Sequence, residues 1–177
     1  FRSGGWVAAR LWWMLDKLGH RDVSVLDGGF GVWRAAERPL SIEVPTYPPS
    51  TLTPRGPAAD GTWPGTISRD ELRGRLGSLL LLDARAEARY RGEIEPIDPA
   101  AGHIPTAISA PFDTNLGPDV RFLPVAELHE RFGRMGAGGP SEVVVSCGSG
   151  TSACHHSLAM RMAGFADPTL YVGSFSD

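Results

Sequence analysis

The stretch 142–163, EVVVSCGSGTSACHHSLAMRMA, constrains this chain more than any other. Val143, Val144 and Val145 make a short β-branched run of the kind that forms a buried parallel strand. Cys147 follows it, and then come Gly148, Ser149, Gly150, Thr151 and Ser152, small residues that bend tightly and can turn their amides inward. An apolar, helix-forming run begins near Ala153. This order places a sulfur at the carboxyl end of a strand and over the amino end of a helix. Orphan N–H groups there favour negative charge. A thiol so held is expected to have a lowered pKa and to act as a nucleophile. The competing reading is a buried free cysteine of an α/β core, which leaves the surrounding glycines without a purpose.

The rest of the chain alternates helix and strand signals. Residues 6–18 read as a helix apolar nearly all round, hence buried, and Gly19 is a natural stop. Residues 23–26 read as a strand, 27–29 as a turn and 31–37 as a second short helix ended by Pro39. Residues 39–66 carry prolines at 39, 45, 48, 49, 54, 57 and 64 and read as an extended linker, with Ile42, Tyr47 and Trp63 available to pin it down. Ser68 and Glu71 have the capping-box spacing. The run 79–82 reads as a central strand closed by Asp83, 107–110 as another strand, 124–134 as a helix and 170–172 as a last strand. Such alternation implies an α/β fold, a doubly wound parallel sheet with helices on both faces.

An internal repeat accompanies this order. Aligning Gly19 with Gly164 sets Ala8 against Ala153, Asp22 against Asp167, Val25 against Leu170, Gly28 against Gly173 and Phe30 against Phe175. The same offset puts Arg2 opposite Cys147, so the first copy lacks the cysteine.

Composition narrows the function classes. A net charge of −3 with no basic run gives no footprint for nucleic acid or an anionic membrane, and no apolar stretch is long enough to span a bilayer. Two cysteines, Cys147 and Cys154, are not a disulfide framework, which points to a reducing cytoplasm. His155 and His156 with a single nearby cysteine make a poor zinc set and read as surface, so no metal is expected. A cysteine phosphatase would need an arginine six positions after the cysteine, where Ala153 stands, and a phosphate-binding P-loop would need a Gly-Lys-Ser/Thr that is absent.

Three blocks carry a resemblance: the repeat, the run DARAEARYRGEIEP at 83–96 with GHIP at 102–105, and CGSGTSAC at 147–154. Together they resemble the tandem rhodanese-type sulfurtransferases, and CGSGTSAC is most similar to the mercaptopyruvate branch, departing from its usual CGSGVTAC at Thr151-Ser152. The resemblance implies an inactive N-terminal rhodanese-like domain, of which 1–38 is the last part, an interdomain linker over 39–66 and a catalytic rhodanese domain over 67–177. It also implies a chain truncated at its N-terminus, in keeping with a first residue, Phe1, that is not methionine. Cut so, the helix at 6–18 is expected to expose Leu11, Trp12, Trp13, Met14 and Leu15 or to pack them on the wrong surface.

The implied reaction moves a sulfane sulfur from thiosulfate or 3-mercaptopyruvate to Cys147, and on to cyanide or a thiol, without a cofactor. A non-catalytic rhodanese-like module that only binds a partner is the rival of a different class. The resemblance assigns the nucleophile to Cys147, proton relay or donor polarisation to Ser149, and the anion cradle to Gly148, Gly150, Thr151 and Ser152. Arg89 stands at the family's donor-binding arginine; its neighbours Arg85 and Arg91 read better as salt-bridge partners of Glu87, Glu93 or Glu95, with Arg85 kept as a second candidate for the donor. His103 reads as structural. Ile97 occupies a position where mercaptopyruvate enzymes often have a further arginine, which weakens the carboxylate clamp.

Overall fold

The computed structural model describes residues 4–20, 22–59 and 61–177; the repeat position Arg2 lies outside them. Five short strands, β1 (Thr66–Ile67), β2 (Leu80–Asp83), β3 (Ile108–Ser109), β4 (Val143–Ser146) and β5 (Thr169–Tyr171), form one sheet in the order β1-β5-β4-β2-β3. Every pairing is parallel. Ahead of β1 run α1 (Trp6–Lys17) and α2 (Gly29–Ala35); between the strands run α3 (Arg69–Arg75), α4 (Glu87–Tyr90), α5 (Val125–Arg134) and α6 (Ala153–Met162), with 3-10 turns at Phe112–Asn115 and, after β5, Ser174–Ser176.

Strands buried on both faces explain the unbroken apolar runs. Leu80 and Leu82 of β2 and Val145 of β4 face a cluster with Trp12, Trp13, Leu128, Phe132 and Met160, which is the α1, α5 and α6 side. Leu81 and Val144 face the other way, toward Ile67, Leu72 and Tyr171 on the α3 side. The two clusters are the two layers of a doubly wound sheet. The serine half of the capping box forms: the Ser68 side chain accepts from the Glu71 amide at the start of α3, while the Glu71 carboxylate takes Arg75.

Three expectations need correction. Residues 23–26 form no strand: Val23 and Val25 pack on the core, but no described strand lies beside them to complete a ladder. Asp27 Oδ1, just past them, takes the Phe122 amide instead. Helix α1 is not left bare, because Trp12 and Trp13 are buried in the same cluster as Met160 and Ala159 of α6, while Leu11 and Met14 stand exposed. An ion-pair group ties the far ends of these helices, with Arg161 bridging Asp16 and Asp167, and Lys17 joining Asp167. Finally, the linker is extended, but Ile42 and Tyr47 point into solvent. It is held by its backbone, where the Arg55 amide donates to Leu18 O, and by the half-covered Trp63.

Candidate active site

Cys147 sits one residue past β4, at the carboxyl edge of the sheet, where a doubly wound fold opens its crevice. Its residue is 2% exposed. The C-terminal turn grips it from behind. Its amide donates to Ser174 Oγ at 3.0 Å, Ser174 Oγ–H donates to Tyr171 O at 2.8 Å, and the Phe175 and Ser176 amides donate to the carbonyls of Cys147 and Gly148, each at 3.0 Å. Ser174 is buried and adopts a positive φ of 58°. A non-glycine residue in that region costs about 1–3 kcal/mol, and it persists only where its surroundings hold it. Nothing in the sequence around Ser174 marks it as part of the site; only the fold brings it under Cys147.

The loop 148–152 then wraps to the amino end of α6. Gly150 has φ +71°, and a Cβ there would come within 2.6 Å of Val172 O, so only glycine fits. Among the described residues no group accepts from the amides of Gly148, Ser149, Gly150, Thr151 or Ser152. Ser152, the N-cap of α6, makes no side-chain cap. Unpartnered amides in a loop that runs from Cys147 to the N-terminus of α6 are suited to an anion. Ser149 is exposed, with its hydroxyl 3.4 Å from Thr151 Oγ1. Cys154, by contrast, is wholly buried, donates its thiol to Gly150 O at 3.3 Å, and is pushed by burial up to about 11. Burial thus favours its protonated form, which is the less reactive one.

Arg89 reaches the loop from α4. Its Nη1 lies 3.4 Å from where a Gly148 Cβ would be. Its Nε and Nη2 are held by Glu95 (3.2 and 2.6 Å) and Asp98 (3.1 Å). The arginine bond, with help from the Ile97 and Asp98 amides, holds the Glu95 carboxyl down at about 2. One edge of the guanidinium is thus fixed, and Nη1 is left toward the loop. Arg85 does not serve with it. Its side chain is 1% exposed, chelated by Asp83, bonded to Gly102 O and Glu95, and stacked over Phe175 at 3.9 Å. It struts the crevice wall as a salt-bridge partner, its guanidinium taken up by these groups. Arg91 pairs with Glu87 and Glu93 at the surface, and His103 stacks on Tyr90.

His155 and His156 overturn the surface reading, since both are 0% exposed. Arg131 Nε donates to Asn115 Oδ1, so the Asn115 amide nitrogen donates to both Nδ1 atoms, at 3.2 and 2.9 Å. Each imidazole therefore keeps its proton on Nε2, donating to Gly4 O and Ala110 O respectively. Burial pushes His155 down to about 4 and His156 to about 3. The group is saturated and neutral, and it braces α6 from below the loop. No signal local to 155–156 identifies it, because the decisive partner, Asn115, lies far away in sequence.

A buried cysteine leading into a glycine-shaped loop, at the edge of a five-stranded parallel sheet, defines a rhodanese-type site. The chain belongs to the rhodanese-like domain family, which matches residues 68–177. It is similar to a probable 3-mercaptopyruvate sulfurtransferase of Pseudomonas aeruginosa, at 48% identity over 98% of this chain and 61% of that protein. It is also similar to a putative thiosulfate sulfurtransferase, SseB, of Mycobacterium tuberculosis, at 36% identity over 96% and 59%. Among solved structures it resembles SseA from Escherichia coli, described as a 3-mercaptopyruvate sulfotransferase of rhodanese fold. There the TM-score is 0.76 at 26% identity, over 98% of this chain and 64% of that one. The 3-mercaptopyruvate sulfurtransferase from Leishmania major gives 0.69 at 29%, over 96% and 46%. The chain spans about three fifths of the length of the curated relatives it matches.

Among the described residues no group accepts from Arg89 Nη1, which faces the loop; if Arg89 binds an anionic donor, as the family resemblance implies, Arg89→Ala is expected to remove a charge-assisted bond. That costs about 1.5–3 kcal/mol, or roughly tenfold to a hundredfold in kcat/KM. Arg91→Ala, already spent on Glu87 and Glu93, is expected to do little. Steady-state kinetics with thiosulfate on both variants checks this, and equal small effects would remove Arg89 from the site.

Proposed function

We propose that this chain is a sulfurtransferase that carries sulfur on Cys147. The observation that carries the reading is the cysteine at the end of β4, leading into a loop whose amides no group of the described protein occupies. The Cys147 thiolate attacks the outer sulfur of the donor. With thiosulfate the S–S bond breaks and sulfite leaves with the electron pair; with 3-mercaptopyruvate the C–S bond breaks and pyruvate leaves after taking up a proton. The resulting persulfide anion is the charge the loop amides would hold. Cyanide or a thiolate then attacks the outer sulfur, and the Cys147 thiolate departs, a ping-pong cycle that needs no cofactor.

The amides of Gly148, Gly150, Thr151 and Ser152 would hold the anion, Ser149 would polarise the donor or pass its proton, and Arg89 would receive the donor's charge. Exposed and only loosely tied to Thr151, the Ser149 hydroxyl is free to turn toward a bound donor. CGSG favours 3-mercaptopyruvate, while Ile97, exposed and without a charge, favours the smaller thiosulfate. A reducing cytoplasm suits a cycle that runs through a free thiol and a persulfide.

The same reading takes 1–38 as the remainder of an inactive rhodanese-like copy, 39–66 as the strap and 67–177 as the catalytic domain. In its favour, Gly5 and Gly150, which correspond across the repeat, both have left-handed φ (77° and 71°), as do Gly19 and Gly164 (94° and 82°). Asp16 and Arg161, 145 positions apart and therefore equivalent, bridge each other.

The test is thiocyanate release from cyanide with each donor, paired with intact mass after donor alone. Expected are turnover with at least one donor and a gain of one sulfur atom. No thiocyanate and no mass gain with either donor would leave the rival, a rhodanese-like module that binds without catalysis.

A further inference from the structure

We infer that Arg10 of α1 is a positioning residue for the cysteine loop, acting across the helix pair through the carbonyl of Gly150. Its Nη1 donates to Gly150 O at 3.2 Å and lies 3.6 Å from Cys154 Sγ, while the Cys154 thiol donates to the same carbonyl at 3.3 Å. One carbonyl thus receives two donors, which uses both of its lone pairs. A trans peptide points its C=O and the following N–H in opposite directions. Holding the Gly150 oxygen toward α1 therefore aims the Thr151 N–H to the other side of the loop, among the unpartnered amides.

The tether matters because of what surrounds it. Gly148 and Gly150 flank Ser149, and glycines are the residues most able to let a peptide plane turn over. A turned Gly150–Thr151 peptide would present an oxygen where an anion needs a donor. Val172 O blocks one side of Gly150, and Arg10 with Cys154 holds the other.

The contact also has a counterpart across the repeat. Arg10 corresponds to His155, whose Nε2 donates to Gly4 O at 3.1 Å, beside Gly5, the equivalent of Gly150. Each helix of the pair holds the loop that begins the other. The region before the strap thereby becomes part of the machinery of the sulfur site, a role that rests on the sulfurtransferase reading for its consequence but not for its geometry.

The test reads the loop directly. Cys147 is alkylated with iodoacetate, an anion, and with neutral iodoacetamide, and the ratio of the two rates is taken. The ratio is independent of how much thiolate is present, since both reagents consume the same one, and it reports how well the loop amides attract an anion. Arg10→Met keeps the stem and removes the donor; Arg10→Lys keeps a donor. In Arg10→Met the ratio is expected to fall about tenfold, less than the ~10²–10³ for losing such a donor outright, because Cys154 still holds the carbonyl. The fall should persist in 1 M salt, where the Debye length is about 3 Å, and Arg10→Lys should restore most of it. With thiosulfate, kcat should drop while KM changes little, because Arg89 is untouched. A ratio unchanged in Arg10→Met, or a loss that vanishes in 1 M salt, overturns the assignment. Should Arg10→Met not fold, Cys154→Ala removes the other donor to the same oxygen and must lower the ratio in the same way. A wild-type protein that shows the ratio effect but releases no thiocyanate would sink the sulfurtransferase reading and leave the positioning role standing.

Discussion

Cys147→Ser is expected to fold as the parent does and to turn over at the uncatalysed background. The two contacts that seat residue 147, to Ser174 Oγ and from the Phe175 amide, are made by its backbone, and a hydroxyl is smaller than the thiol it replaces. The chemistry, however, has no substitute: a serine oxygen cannot form the persulfide, and losing a nucleophile costs on the order of 10⁶-fold in kcat. Cys154→Ser is the control. Its hydroxyl can still donate to Gly150 O, and the thiol it replaces is held protonated, near 11, by burial. That variant should keep its turnover within the range of an ordinary loop perturbation. Intact mass after donor treatment separates the two. The sulfur gain should vanish in Cys147→Ser and survive in Cys154→Ser, and the reverse pattern would falsify the assignment of the nucleophile.

The parts of this molecule that were legible in the sequence are those whose signals are local. A valine run ending at Cys147 and a glycine-coded loop ahead of an apolar helix state their own conformations, so β4, the loop after it and α6 could be read before any contact was known. Ser68 with Glu71 announced the start of α3 in the same way. What stayed hidden depends on partners distant in the chain. His155 and His156 look like surface residues until Asn115 and Arg131 are placed against them. The sequence favoured Arg89 over Arg85 for the donor only through the family resemblance, because nothing local to either residue names its partners. Asp83, Glu95 and Gly102 immobilise Arg85, and Gly148 gives Arg89 its direction. Residues 23–26 have strand chemistry, but a strand exists only beside another, and none is described there. Ile42 and Tyr47 suggested pins for the strap, whereas the actual tie is a backbone bond from Arg55 to Leu18, which no side-chain pattern can reveal.

The histidine pair makes a second large effect expected, on stability rather than turnover. Both imidazoles are neutral in the fold, pushed down by burial to about 4 and about 3, and His156 is pushed further by His155 and by the nearby Arg131 guanidinium. An unfolded histidine titrates near 6.5. Above that value neither state binds the extra protons and the pair's contribution is complete. As pH falls below about 6.5 the unfolded chain takes up two protons that the folded chain refuses, so stability drops by up to roughly 2.7 kcal/mol per pH unit until the folded values are reached. By pH 5 the loss should be on the order of 3–4 kcal/mol, a large share of the 5–15 kcal/mol typical of a domain. The window also separates this cause from the carboxylates. Glu95, lowered to about 2 by Arg89, keeps its contribution until pH falls through the ordinary carboxylate range near 4.5 and toward 2. Urea unfolding at pH 8, 6.5 and 5 is the measurement, with His155→Gln as the variant that removes one of the two protons. The parent should lose stability steeply between pH 6.5 and 5, and the variant should start lower but fall with about half the slope. A parent curve flat from pH 8 to 5 would mean that the imidazoles charge inside the fold at little cost, and that the Asn115 network can give up its acceptors on Nδ1 without opening.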